Sequence, residues 1–301
     1  CRYKQYENQN KQMYLGEKTD TASFFANIKN LFHIYQTADS LLLKINKPNK
    51  HLQKNVQKRA TDLNKCRSNL YFGGLFKIYK GQFDKAYNYF DDYLTCVNAH
   101  LFKAYNYNQT DTLLSKAAYW AMYCGYKNSN SVQTLHHAYT ALKDTTRLLT
   151  IFQFLGEAYK LEKDTIRYLD ALKEGFQRDP SFPYFFPRLF NYYSSKGDWN
   201  TCIHITDKAI QADKNNLNFH LAKSSVLLYT ERFDSCIVLC DSLLALSDTL
   251  SRAHLNAGLS YYYKAVRLDR KLKKTAADKR DILRFYTAAK PHMEAYRKSE
   301  P

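Results

Sequence analysis

Residues 151–180 read IFQFLGEAYKLEKDTIRYLDALKEGFQRDP. Phe152, Leu155, Gly156 and Tyr159 fall at spacings that share one face of a helix, and Leu172, Gly175 and Phe176 do the same for a second helix that Pro180 closes. Stepping outward by 34 residues finds the same pattern again. Ala118, Phe152, Phe186, His220 and His254 form one column, and Gly125, Tyr159, Tyr193, Leu227 and Tyr261 another. Ala141, Gly175, Ala209 and Leu243 make a third, and Leu142, Phe176, Ile210 and Leu244 a fourth. A period held from about Leu114 to about Leu250 predicts stacked helix-turn-helix units, because a unit that cannot bury its own apolar face buries it on the next.

Composition agrees with helices. Apolar residues make up 45% of the 301, with 26 Tyr and 18 Phe, while 9 Gly and 6 Pro are too few for the turns of an all-β chain. No run of 18 apolar residues offers a membrane-spanning helix. The seven cysteines are odd in number and contain no C-x-x-C, so neither a zinc framework nor a disulfide ladder is indicated. Cys202 and Cys236 lie one period apart and Cys240 one helical turn further, the places of small buried hydrophobes.

The 151–180 stretch is similar to a tetratricopeptide repeat, whose pattern is W-x2-L-G-x2-Y, then A-x3-F-x2-A, then Pro. Phe152, Leu155, Gly156, Tyr159, Leu172 and Pro180 occupy the family's places, whereas Tyr168 stands where Ala is usual. An earlier unit, Asn69 to Cys96, matches through Gly74, Gly81, Ala86, Phe90 and Tyr93, with Leu70 in place of Trp and Lys77 in place of Tyr. The resemblance implies an all-α fold, a right-handed α-α superhelix built as a solenoid of antiparallel helix pairs. Residues 66–301 would form the solenoid, with insertions near 97–111 and 264–279; residues 1–65 would be a degenerate repeat or capping hairpin, its long helix capped by Thr21 or Ser23 and paired through Met13 and Tyr14. Pro291 is expected to kink the last helix.

Chemistry-bearing motifs are missing: there is no G-x-G-x-x-G, G-x-x-x-x-G-K-[ST], H-E-x-x-H or G-x-S-x-G. A non-enzymatic chain without a cofactor is expected. His136 and His137 are adjacent, and on a continuous helix they would point about 100° apart, so no metal site is expected from them. His220 and His254, one period apart, read as a structural slot.

In the family the first helix of each pair lines a concave groove. Carried onto this sequence, the groove positions are Tyr119, Tyr123, Tyr126, Lys160, Tyr184, Asn191, Tyr229, Arg252, Tyr262 and Tyr263. A groove rich in Tyr suits a peptide or protein partner, since Tyr offers a flat apolar ring and a hydroxyl at low entropic cost. The other function class is nucleic-acid or anionic-polymer binding. Of the net charge of +17, residues 1–60 carry 11 Lys and Arg against 4 Asp and Glu, and residues 264–298 carry 12 against 4. Cys1 has two readings. As a mature N-terminus it would be the acylated cysteine of a lipoprotein, like envelope proteins of this type in Gram-negative bacteria, placing the chain in the periplasm or at the outer membrane. As a mere boundary of the sequence it would leave a cytoplasmic location.

Overall fold

In five repeats the turn between the two helices holds one residue in the left-handed backbone region, and four of these residues keep the spacing of the sequence columns. In a computed structural model describing residues 2–44 and 50–299, Ser129, Lys163, Gly197 and Glu231 have φ of 52°, 59°, 69° and 58°, each 34 residues after the last. Gly81 (φ 68°) begins the series. After each comes the same return bond, from the N–H of Gln82, Asn130, Asp164, Asp198 and Arg232 to the carbonyls of Lys77, Gly125, Tyr159, Tyr193 and Leu227, at 2.8 to 3.0 Å. This is the closure that satisfies the last carbonyls of a helix. Ser, Lys and Glu tolerate it at a cost of about 1–2 kcal/mol in backbone strain. Asn130, Asp164 and Asp198 then cap the second helix, accepting from the N–H of Gln133, Arg167 and Thr201 at 3.0, 2.9 and 3.1 Å.

Among the described residues every regular element is helical, and the fold is an all-α, tetratricopeptide-like array of helix pairs. The chain packs as two units, Cys1–Ala171 and Leu172–Pro301. The first contains α1 (Arg2–Tyr14), α2 (Thr21–Leu43), α3 (Lys50–Cys66), α4 (Ser68–Tyr79), α5 (Phe83–Thr95), α6 (Tyr107–Thr110), α7 (Leu114–Lys127), α8 (Ser131–His136), α9 (Ala138–Ala141) and α10 (Leu148–Leu161). The division falls inside α11 (Thr165–Arg178). Asp20, not Thr21 or Ser23, caps α2: it sits in extended backbone just outside the helix, where its carboxylate reaches the N–H of Ala22 at 3.0 Å. α1 meets α2 through Tyr6 stacked on Phe24 (5.8 Å), while Met13 and Tyr14, expected to make this contact, are exposed. Cys1, for which the sequence offers a lipoprotein reading, lies outside the described residues.

The insertion after Cys96 forms two 3-10 segments (Cys96–Asn98 and His100–Tyr105) followed by α6. Arg67 ties it down. Its buried guanidinium bonds Asp111 (2.5 Å), the Tyr93 carbonyl (3.0 Å) and the Cys96 sulfur (3.2 Å), and lies against the rings of Tyr93 and Tyr107 at 3.8 and 3.9 Å. The Tyr93 hydroxyl donates to the same Asp111 carboxylate at 2.7 Å. A buried charge so fully paired fixes the insertion against α4 and α5.

The next repeat departs from the others. Where Tyr159, Tyr193 and Tyr261 stand in later repeats, α7 has Gly125, and a Cβ there would lie 2.7 Å from Thr134 Oγ1 and 2.8 Å from the Gln133 carbonyl carbon. α8 therefore runs directly against the backbone of α7. It ends at His136, and the chain resets at His137 (φ −109°, ψ 17°) before the short α9.

The second unit contains α12 (Phe185–Ser195), α13 (Trp199–Ala212), α14 (Leu217–Tyr229), α15 (Phe233–Leu246), α16 (Ser251–Asp269) and α17 (Ala276–Ser299). Its side chains repeat as its backbone does. The Cys202 thiol faces the Phe190 carbonyl at 3.9 Å and the Cys236 thiol the Ser224 carbonyl at 3.2 Å. His220 Nε2 reaches the Lys214 carbonyl at 2.8 Å and His254 Nε2 the Asp248 carbonyl at 3.0 Å. The basic insertion becomes the last turns of α16 and a capping box, in which the Thr275 N–H donates to Asp278 and the Asp278 N–H to the Thr275 hydroxyl. α17 continues as one helix through Pro291. The thiols of Cys66, Cys96, Cys124, Cys202, Cys236 and Cys240 are free and buried. Burial pushes Cys66 and Cys124 up to about 12 and Cys202 to about 11, so these three stay protonated and act as small hydrophobes.

Candidate partner-binding cleft

The first residue of a second helix follows directly on the left-handed turn and its cap, so its side chain projects past the end of its own pair. At that place three repeats carry an aromatic: Phe83, Trp199 and Phe233. Each reaches a tyrosine of the following first helix. Phe83 meets Tyr123 edge-on at 5.8 Å, Trp199 stacks on Tyr229 at 4.6 Å and 5°, and Phe233 stacks on Tyr263 at 6.0 Å and 28°. Trp199, Phe233, Tyr229 and Tyr263 are two copies of one arrangement, a period apart.

Between these stacks the second unit opens two adjoining clefts that share Tyr229. The first, about 360 Å³, is lined by Asn191, Ser194, Ser195, Trp199, Ser225, Tyr229 and Arg252. The second, about 590 Å³, is lined by Tyr229, Glu231, Phe233, Leu259, Tyr263, Arg267 and Arg270. Asn191, Ser225 and Leu259 occupy one column, and Ser195, Tyr229 and Tyr263 another. Polar Asn and Ser on the floor of the first cleft give way to Leu in the second. Arg252 and Arg270 have no ion-pair partner among the described residues, while Arg267 lies 3.9 Å from Glu231 with both side chains 73% exposed. Ring faces with arginines at the rim suit an extended segment that alternates apolar and acidic side chains.

The groove positions taken from the resemblance do not all lie at the clefts. Asn191, Tyr229, Arg252 and Tyr263 line the two clefts, and Tyr229 is 62% exposed. Tyr262 is exposed beside them and contacts Tyr286 of α17 at 5.9 Å. Tyr184 is buried, with the Arg188 guanidinium 3.7 Å above its ring, and so presents little surface. In the first unit, Tyr119, Tyr123 and Tyr126 gather around Phe154 of α10 at 5.8, 6.1 and 4.8 Å. Arg147 covers Tyr119 at 4.8 Å, and burial raises the Tyr119 hydroxyl's pKa. These three half-buried rings seal α7 to α10; Lys160 stays exposed.

Trp199 and Phe233 escaped sequence reasoning because they stand on second helices, whereas Arg267 and Arg270 escaped it because they fall in the basic overrun of α16, which reads as an insertion. An aromatic immediately after three of the turns, at 83, 199 and 233, was the available signal.

No protein-family description matches the chain, and no curated protein does. Among solved structures, the chain is similar to the tetratricopeptide domain of P58(IPK), at 12% identity over 100% of this chain and 98% of that one, with a TM-score of 0.27.

Proposed function

We propose that the protein is a non-enzymatic interaction scaffold whose second unit holds an extended, acidic segment of a protein partner across the paired clefts. The observation that carries this is the repetition itself: two aromatic stacks one period apart, joined by the exposed Tyr229 and rimmed by Arg252 and Arg270, which have no carboxylate partner among the described residues. A segment crossing both clefts would place successive side chains on Trp199–Tyr229 and Phe233–Tyr263. Its carboxylates would meet Arg252 and Arg270.

The chain has two tryptophans, so Trp120→Phe leaves Trp199 as a single reporter within the cleft. Titration with acidic, aromatic-containing peptides should change Trp199 emission saturably, and Tyr229→Ala or Arg252→Ala should weaken binding by at least about tenfold, the range for a central interface residue. Binding that leaves Trp199 emission unchanged, survives Tyr229→Ala and collapses between low and moderate salt would instead assign function to phosphate contacts at the basic ends.

A further inference from the structure

On a continuous helix His136 and His137 could not face one ligand. The break at His137 removes that restriction. Their rings lie side by side, centroids 4.2 Å apart at 31°, and both turn toward Asp91 of α5. Asp91 Oδ1 is 3.4 Å from His136 Nδ1 and 2.7 Å from His137 Nε2, and the three donor atoms lie within 4.8 Å of one another. We propose that Asp91, His136 and His137 form a site for a borderline divalent transition-metal ion of the Zn²⁺ type.

Bonds of about 2.0–2.1 Å to tetrahedral zinc separate its donors by roughly 3.3 Å. The Asp91–His136 pair already has that spacing. The Asp91–His137 pair is held closer by a hydrogen bond, and opens when the ion replaces the shared proton and that proton moves to the other ring nitrogen or to solvent. Two imidazoles with one carboxylate favour zinc, cobalt, nickel or copper over calcium or magnesium, which prefer all-oxygen shells. Asp91 is free for this role, because the nearby Lys29 ammonium is bonded to Asp92 (2.8 Å) and to the Asn88 carbonyl (3.0 Å). The Tyr87 hydroxyl, 2.9 Å from His136 Nδ1, yields that nitrogen on binding. His136 has 53% and Asp91 29% of its side chain exposed, which provides entry from solvent and leaves a fourth position for water. The bound ion would clip α5 to the broken second helix of the next repeat, where α8 leaves α7.

The test uses the full chain, stripped with chelator and kept reduced, titrated with Zn²⁺ by calorimetry and with Co²⁺ by absorption. Expected are one ion per chain, a thermal midpoint that rises with added Zn²⁺, and affinity that falls as the pH is lowered into the histidine range. His136→Gln, at an exposed position, and Asp91→Asn should each weaken binding by at least about tenfold, as even outer partners of metal sites do, with unchanged far-UV circular dichroism. No saturable binding at one ion per chain overturns the proposal. So does binding that survives both variants, which would move the ion to other imidazoles such as His254 and His292.

Discussion

At the scale of single residues, the repeat tolerates replacement at most column positions but not at its close approaches. Gly125 is the clearest case, since Thr134 backbone nitrogen stands nearer to its would-be Cβ than any side-chain atom. A side-chain tip could swing aside, whereas a backbone atom moves only if α8 moves with it. Gly125→Ala gains about 1 kcal/mol of helix propensity, against an overpacking cost of roughly 1–3 kcal/mol whose upper end applies where backbone must shift. The clash should win. The urea midpoint of Gly125→Ala is expected below that of the parent protein, and an equal or higher midpoint would show that α8 is not pinned there.

Elements join through a few polar seams, and the one between α16 and α17 is sensitive to pH. His254 Nε2 donates to the Asp248 carbonyl, which leaves its Nδ1 as an acceptor; His292 Nδ1, 3.1 Å away, must then carry the proton. Burial first, and His254 second, hold His292 below the usual histidine value. A base depressed in the folded state binds fewer protons there than in the unfolded chain. Its contribution to stability is therefore complete above the ordinary value near 6.5 and lost as the pH falls below it. Thermal midpoints should drop between about pH 7.5 and about pH 5, and His292→Asn should flatten that drop. A variant that keeps the full slope would place the responsible group elsewhere, for example among the carboxylates.

At the scale of the whole molecule, contacts divide the chain into units ending at Ala171 and beginning at Leu172. Trp120 lies in the first and Trp199 in the second. Arrays whose repeats contact mainly their neighbours need not unfold in one step. Fluorescence of Trp199→Phe and Trp120→Phe proteins, each reporting one unit, should give urea transitions with different midpoints. Coincident curves would mean that the array unfolds as one cooperative body despite the division.

The helix pairs, their period and their packing faces were legible in the sequence because burial at 34-residue intervals selects aromatic, aliphatic or small residues in columns, and columns survive without any knowledge of three-dimensional contacts. Cys202 with Cys236, and His220 with His254, were placed correctly by that logic alone. Some relations pass between repeats or depend on a local break, and these only the tertiary structure decided. The stack of Trp199 on Tyr229 joins a second helix to the next first helix, so no single-helix face reveals it. Arg67 holds the insertion through Asp111, 44 residues away. The convergence of His136 and His137 on Asp91 requires the helix to end between the two histidines, as α8 does at His136. Periodicity reports which residues are buried; which exposed or half-buried side chains meet is fixed by the geometry of one repeat against the next.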